Sequence, residues 1–193
     1  MAEPPARRGE PLPSDYPQFL AEVKARVATA RTQTALAVSA AVLAAYWEIG
    51  RGILEREHRE GWGAKVVERL AADLRREFPE MKGLSPRNLR YMREFARAWP
   101  AASVEAMLQQ PAARLPWGHH MLLLDKLGDP QERVWYASYA AEHGCSRKVL
   151  EAQIASDLRA RHGAALSTFD RALPAPDSEL VRDALKDPYN FGS

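Results

Sequence analysis

Between Pro17 and Gly50 the chain contains neither proline nor glycine, and no other stretch constrains the fold as strongly. Thirty-odd residues without a breaker favour helix, and the apolar positions agree. Leu20, Val23, Val27 and Ala30 fall at three- and four-residue steps, one side of a helix. Residues 35–47 are apolar nearly all round, interrupted by Ser39 and closed by Glu48. A helix apolar on every side must be covered on every side. Other helices of the chain can do this, or a second copy of the chain can, so a homodimer through the N-terminal helix is one expectation. The segment reads either as one long helix to about His58 or as a hairpin with a break at Arg31–Thr34.

Further helices follow from caps and breakers. Ala64–Phe78 carries Val66, Val67, Leu70, Leu74 and Phe78 toward one side, and Pro79–Gly83 forms a turn. Ser85-Pro86 reads as cap and first helical position of a helix that ends before Pro100. A short helix over Ser103–Gln110 stops at Pro111. Leu115–His120 reads as a loop leading into an apolar helix through Leu127. Asp129-Pro130 opens a helix to about His143, and Ser146 caps one that runs to about His162. No alternating strand pattern of useful length occurs. The expected fold is all-α: a multi-helix bundle with a long N-terminal helix or helical hairpin and a helix-turn-helix-like unit over 64–99. Residues 1–14 read as a disordered Pro-rich tail, 15–168 as the helical domain, and 169–193 as a linker-like segment with a short helical stretch near Ser178–Lys186.

Composition narrows function mainly by exclusion. Lys+Arg number 27 against 25 Asp+Glu, a net charge of +2, so any basic site has to be local. The single cysteine, Cys145, excludes an internal disulfide and fits a reducing compartment. The N-terminus lacks the apolar core of a signal peptide, and the run 35–47 falls short of the ~20 residues of a membrane span. Cytoplasm, no membrane and no cofactor are the expectations. His119 and His120 are adjacent and therefore diverge on a helix, which leaves no metal site. Trp117 and His119 read either as a contact site or as packing under a loop. Glu22-Val23-Lys24 matches only half of a metal-nuclease motif, and it sits on a helix. No phosphate loop or Ser/His/Asp set is present.

The second helix of the 64–99 unit divides its faces. Leu84, Tyr91, Met92, Phe95 and Trp99 gather on one side; Arg90, Arg93 and Arg97 gather opposite, with Arg87 at the edge. Guanidinium groups suit phosphates and guanine edges. A helix-turn-helix reader presents such a face to the major groove, and Lys65, Arg69 and Lys82 would add phosphate contacts. The same face is equally what a solvated helix displays, with Arg93 and Arg97 paired to Glu94 or Glu77. A second pair, 130–143 and 146–162, carries Arg147, Lys148, Arg159 and Arg161 more diffusely.

Several motifs occur together in order: Ala45-Tyr-Trp-Glu-Ile-Gly-Arg51, Gly61-Trp-Gly-Ala-Lys65, Leu70-Ala-Ala-Asp-Leu-Arg-Arg-Glu-Phe-Pro79, Gly83-Leu-Ser-Pro-Arg-Asn-Leu-Arg-Tyr-Met92, Leu115-Pro-Trp-Gly-His-His120 and Asp187-Pro-Tyr189. Over residues 16–190 they resemble the N-terminal domain of the YhcG family of bacterial PD-(D/E)XK-nuclease proteins, a domain of unknown function. The resemblance implies a helical, helix-turn-helix-like DNA-binding region with Ser85–Trp99 as its recognition segment, placed before a nuclease domain. The residues after Tyr189 end at Ser193, so the resemblance carries no nuclease carboxylates or lysine onto this chain. It implies a non-catalytic module that either contacts DNA itself or recruits a nuclease held on a separate partner.

Overall fold

A computed structural model describes residues 13–162 and 178–189. Among them there are nine α-helices and no strands. They are α1 (Tyr16–Glu60), α2 (Ala64–Glu77), α3 (Pro86–Ala98), α4 (Ala101–Leu108), α5 (Trp117–Lys126), α6 (Pro130–Glu142), α7 (Arg147–Ala155), α8 (Leu158–His162) and α9 (Glu179–Leu185).

The N-terminal segment is one helix of 45 residues, about 68 Å long, with no break at Arg31–Thr34. The threonines that suggest a break are accommodated: Thr32 and Thr34 donate their hydroxyls to the carbonyls of Ala28 and Ala30, each at 3.0 Å. Gly61 ends α1 in the left-handed conformation, φ 66°. By length and composition α1 includes an 18-residue stretch apolar enough to cross a membrane, yet 44% of that stretch is buried against this chain.

One side of α1 forms the floor of the core. Leu36, Val42, Leu43, Tyr46, Trp47 and Ile53 are buried there, and α3 packs on the C-terminal part of α1 near Gly50 and Glu57. The two helices touch backbone to backbone: a Cβ on Gly50 would overlap the carbonyl of Met92 and lie 2.9 Å from the Arg93 nitrogen. A second close approach occurs at Gly83, where a Cβ would meet the Tyr46 hydroxyl. Phe95 and Tyr46 both pack edge-on against Trp117, at 5.3 and 5.0 Å between ring centroids.

Three expectations need correction. Helix α5 begins at Trp117, so the supposed loop puts Trp117, His119 and His120 in the core. The helix expected to reach His162 stops at Ala155; Asp157 has φ 49°, and α8 is a separate turn. The stretch 178–189 is not a linker but part of the body. Leu180, Val181 and Ala184 are buried, α9 packs on α1, and Asp187 accepts the Trp117 backbone N–H at 3.1 Å. Tyr46 donates its hydroxyl to the Tyr189 carbonyl at 2.8 Å. The expected tail lies outside the described residues apart from Pro13 and Ser14.

Candidate nucleic-acid interface

The segment expected to form a helix-turn-helix-like unit consists of α2, a 3-10 turn at Lys82–Leu84, and α3. Three hydrogen bonds fix where α3 starts. The Ser85 hydroxyl accepts the Asn88 N–H at 3.2 Å. The Asn88 amide donates to the Gly83 carbonyl at 2.6 Å and accepts the Trp117 indole N–H at 2.6 Å. Leu84, Met92 and Phe95 are buried as the sequence indicates, whereas Tyr91 and Trp99 are only half-buried and Leu89, outside the expected set, is fully buried.

The outward side divides into two halves. In the C-terminal half, Arg93 donates to Glu57 of α1 at 2.7 Å and to Glu94 at 2.9 Å, and its side chain keeps only 25% exposure. Arg97 donates to Glu94 at 2.6 Å. Burial would raise the Glu94 carboxyl, but the hydrogen bonds from Arg97 and Arg93 outweigh it and hold the carboxyl below its usual range. The expectation that Arg93 faces outward as a free cation is therefore corrected. Arg97 is more exposed but spends its charge on Glu94. Asp125 adds a further negative charge here, accepting the Tyr91 hydroxyl at 2.8 Å.

The N-terminal half differs. Arg87 and Arg90 are exposed, and neither is in an ion pair among the described residues. Arg90 donates to the Pro86 carbonyl of its own helix at 3.2 Å, and the Arg87 guanidinium lies 5.7 Å from the centre of the Tyr91 ring. Lys82 in the turn and Lys65 on α2 are exposed and form no ion pair among the described residues. Arg69, also expected to contact phosphate, shares Asp73 with Arg76, both at 3.0 Å.

The second basic pair is weaker. Arg159 is tied to Asp129 at 3.4 Å. The cleft of about 520 Å³ beside α7 mixes Arg147, Lys148, Arg182 and Lys186 with Glu151, Glu179 and Asp183. The Arg147 N–H that opens α7 is already taken by Asp183 at 3.0 Å. No cluster of three or more His, Cys, Asp or Glu among the described residues could hold a metal. Glu22 lies on an exposed turn of α1, 3.9 Å from Arg26.

The family described as DUF1016 N-terminal domain matches residues 22–161, the helices from α1 into α8. The chain belongs to this family. A relative, "Putative nuclease YhcG" of Escherichia coli (strain K12), is 28% identical over 199 residues, an alignment covering 84% of this chain and 52% of the relative. The chain thus spans about half the length of that relative. No solved structure matches. This DUF1016 N-terminal domain is accordingly an all-α unit of a nuclease-associated family, and its Ser85–Trp99 segment is one continuous cap and helix.

Proposed function

We propose that this domain docks onto duplex nucleic acid through the N-terminal end of α3, so that a nuclease of its family is brought to its substrate. The observation that carries this reading is the position of the available positive charge. Arg87 and Arg90 occupy the first turns of α3, and the first turns of a recognition helix are the part that reaches base edges in helix-turn-helix readers. Lys82 flanks them in the turn, and Lys65 on the preceding helix supplies a phosphate contact, while Arg69 is held by Asp73. Arg93 and Arg97 have a different role in this reading: through Glu57, at 2.7 and 4.0 Å, they tie α3 to α1.

Replacing Arg87 and Arg90 together with glutamate is expected to weaken duplex binding by about tenfold to a hundredfold at low salt. The slope of log K against log salt should fall by roughly 2, one for each guanidinium that no longer neutralises a phosphate. A mobility-shift titration at several salt concentrations measures both. Duplex affinity and slope equal to those of the parent would overturn the reading. A second role, assembly, is favoured by a separate observation on α1.

A further inference from the structure

The N-terminal third of α1 carries its large apolar residues on the wrong side for packing within the chain. Residues 16–31 are all exposed or half-exposed, with Phe19 at 57% and Val27 at 52%. Projected at 100° per residue, the side on which α1 packs passes through Ser39, Leu43, Tyr46 and Gly50. Tyr16, Leu20, Val23, Val27 and Ala30 lie about 110–170° from it, on the far side of the helix. That outer stripe does not stop where the body begins. It continues through Thr34, Ala37, Ala41 and Ala44, all exposed or half-exposed, and ends at Glu48. The steps alternate four, three, four, three from Tyr16 to Ala44, which is the seam of a two-stranded coiled coil over four heptads.

We infer that this seam is covered by a second copy of the chain, its α1 running antiparallel with the two-fold axis near Thr32. Three features choose this occupant and this direction. First, the seam is large in its N-terminal half and small in its C-terminal half. An antiparallel pair sets Leu20 against Ala44, Val23 against Ala41 and Val27 against Ala37 of the other copy, and each of these layers combines one large and one small side chain, with Ala30 against Thr34 at the centre and Tyr16 against Glu48 at the ends. A parallel pair would set large on large at one end and leave alanine facing alanine at the other. Second, a parallel pair would bring Arg26 beside Arg31 of its partner on both flanks, two like-charge contacts, whereas the antiparallel register puts Lys24 near Val38 and Arg26 near Ala40 and keeps one such contact, Arg31 beside its own copy at the two-fold axis. Third, the stripe is about 43 Å long; a third of a helix's accessible circumference over that length is roughly 600 Å² per copy, about 1,200 Å² in all, the lower bound of specific interfaces. The body of each copy lies toward the other side of its α1, and the seam meets the edge of that body at Ala37, which lines a cleft with Leu108, Gln109 and Ala113.

Light scattering on the full chain at about 100 µM should give twice the mass of one 21.6 kDa chain. Val27 is exposed and, among the described residues, is not one of those packed on the core, so Val27→Glu should leave helicity and melting unchanged while weakening the dimer at least about thirtyfold. Direction is read by mild oxidation: V27C mixed with A37C should give a crosslinked pair, and V27C alone should not. Cys145 is buried, so the parent is the uncrosslinked control. A single-chain mass at that concentration overturns the proposal, including the case in which the monomer binds anionic lipid vesicles and the seam belongs to a membrane. Crosslinking of V27C with itself but not with A37C overturns the antiparallel register, and a Val27→Glu chain that dimerises like the parent overturns the seam.

Discussion

Gly50→Ala is expected to destabilise the domain by about 3 kcal/mol or more, whereas Gly52→Ala, two residues along the same helix, should stabilise it by up to about 1 kcal/mol. Both exchange the poorest ordinary helix former for the best, so propensity and unfolded-state entropy favour alanine equally at each site. The surroundings separate them. At Gly50 the new methyl would occupy the position of the Met92 carbonyl, main chain of a packed helix that cannot move without shifting Leu89, Met92 and Phe95. At Gly52 the nearest atom is the far end of the Arg56 side chain, 3.4 Å away and free to swing. For a chain of this size each kcal/mol shifts the melting temperature by about 2–4 °C, so the variants should part by roughly 8–16 °C. Thermal melts followed by circular dichroism measure this. Two variants melting together would mean that the α1 and α3 backbones do not touch.

That close approach bears on how far the sequence can be read. The helices are legible where a cap or breaker marks them: Ser85-Pro86, Asp129-Pro130 and Ser146 each open a helix at the expected residue. Each acts locally, through a side chain accepting backbone N–H groups of the next turn. The start of α5 is obscured because Gly118 and two histidines resemble a loop, although Pro116 sits immediately before the first helical residue. The docked segment 178–189 is obscured for a similar reason. Pro188 and the nearby prolines signal irregular chain, and they outweigh the apolar spacing of Leu180, Val181 and Ala184.

The candidate site is half legible. Projecting α3 alone separates Met92 and Phe95 from the arginines correctly, because burial of an amphipathic helix follows its own periodicity. It cannot report which cations are spent. The partner of Arg93 is Glu57, 36 residues away on another helix, and no local pattern links them. Glu94 is a visible partner, and its i,i+3 relation to Arg97 is what a helix provides. The antiparallel seam has the opposite character. Its spacing is plain in the sequence, but whether Leu20 and Val27 face the body or solvent depends on the side α1 uses for packing, which only the fold decides.

Acid should weaken the domain through its histidine pair, and His120→Gln should remove much of that sensitivity. His120 is fully buried against Phe95, with its Nε2–H directed at the Ala112 carbonyl at 3.2 Å. Burial, with a smaller push from neighbouring His119, depresses its pKa to about 3. The His119 pKa is also lowered, by burial first, against the hydrogen bond to the Cys145 carbonyl. A histidine whose folded pKa lies below its unfolded one favours folding while both states are neutral. That stability is complete above about pH 6.5 and is lost as pH falls toward 3, because only the unfolded chain can take the proton. For His120 alone the loss reaches about 2 kcal/mol at pH 5, or roughly 4–8 °C. Asp187 carries the other sign: burial raises its carboxyl, so acidification favours its folded state and partly offsets the histidines. Comparing His120→Gln with the parent cancels that contribution, since both chains keep Asp187. Glutamine retains an N–H for the Ala112 carbonyl but takes up no proton. The variant's melting temperature at pH 7 should fall somewhat through poorer packing on Phe95, while its further drop between pH 7 and pH 5 should be smaller than the parent's by those 4–8 °C. Parallel pH profiles for the two chains would show that His120 is not held neutral in the core, and the burial that places α5 beneath α3 would then be wrong.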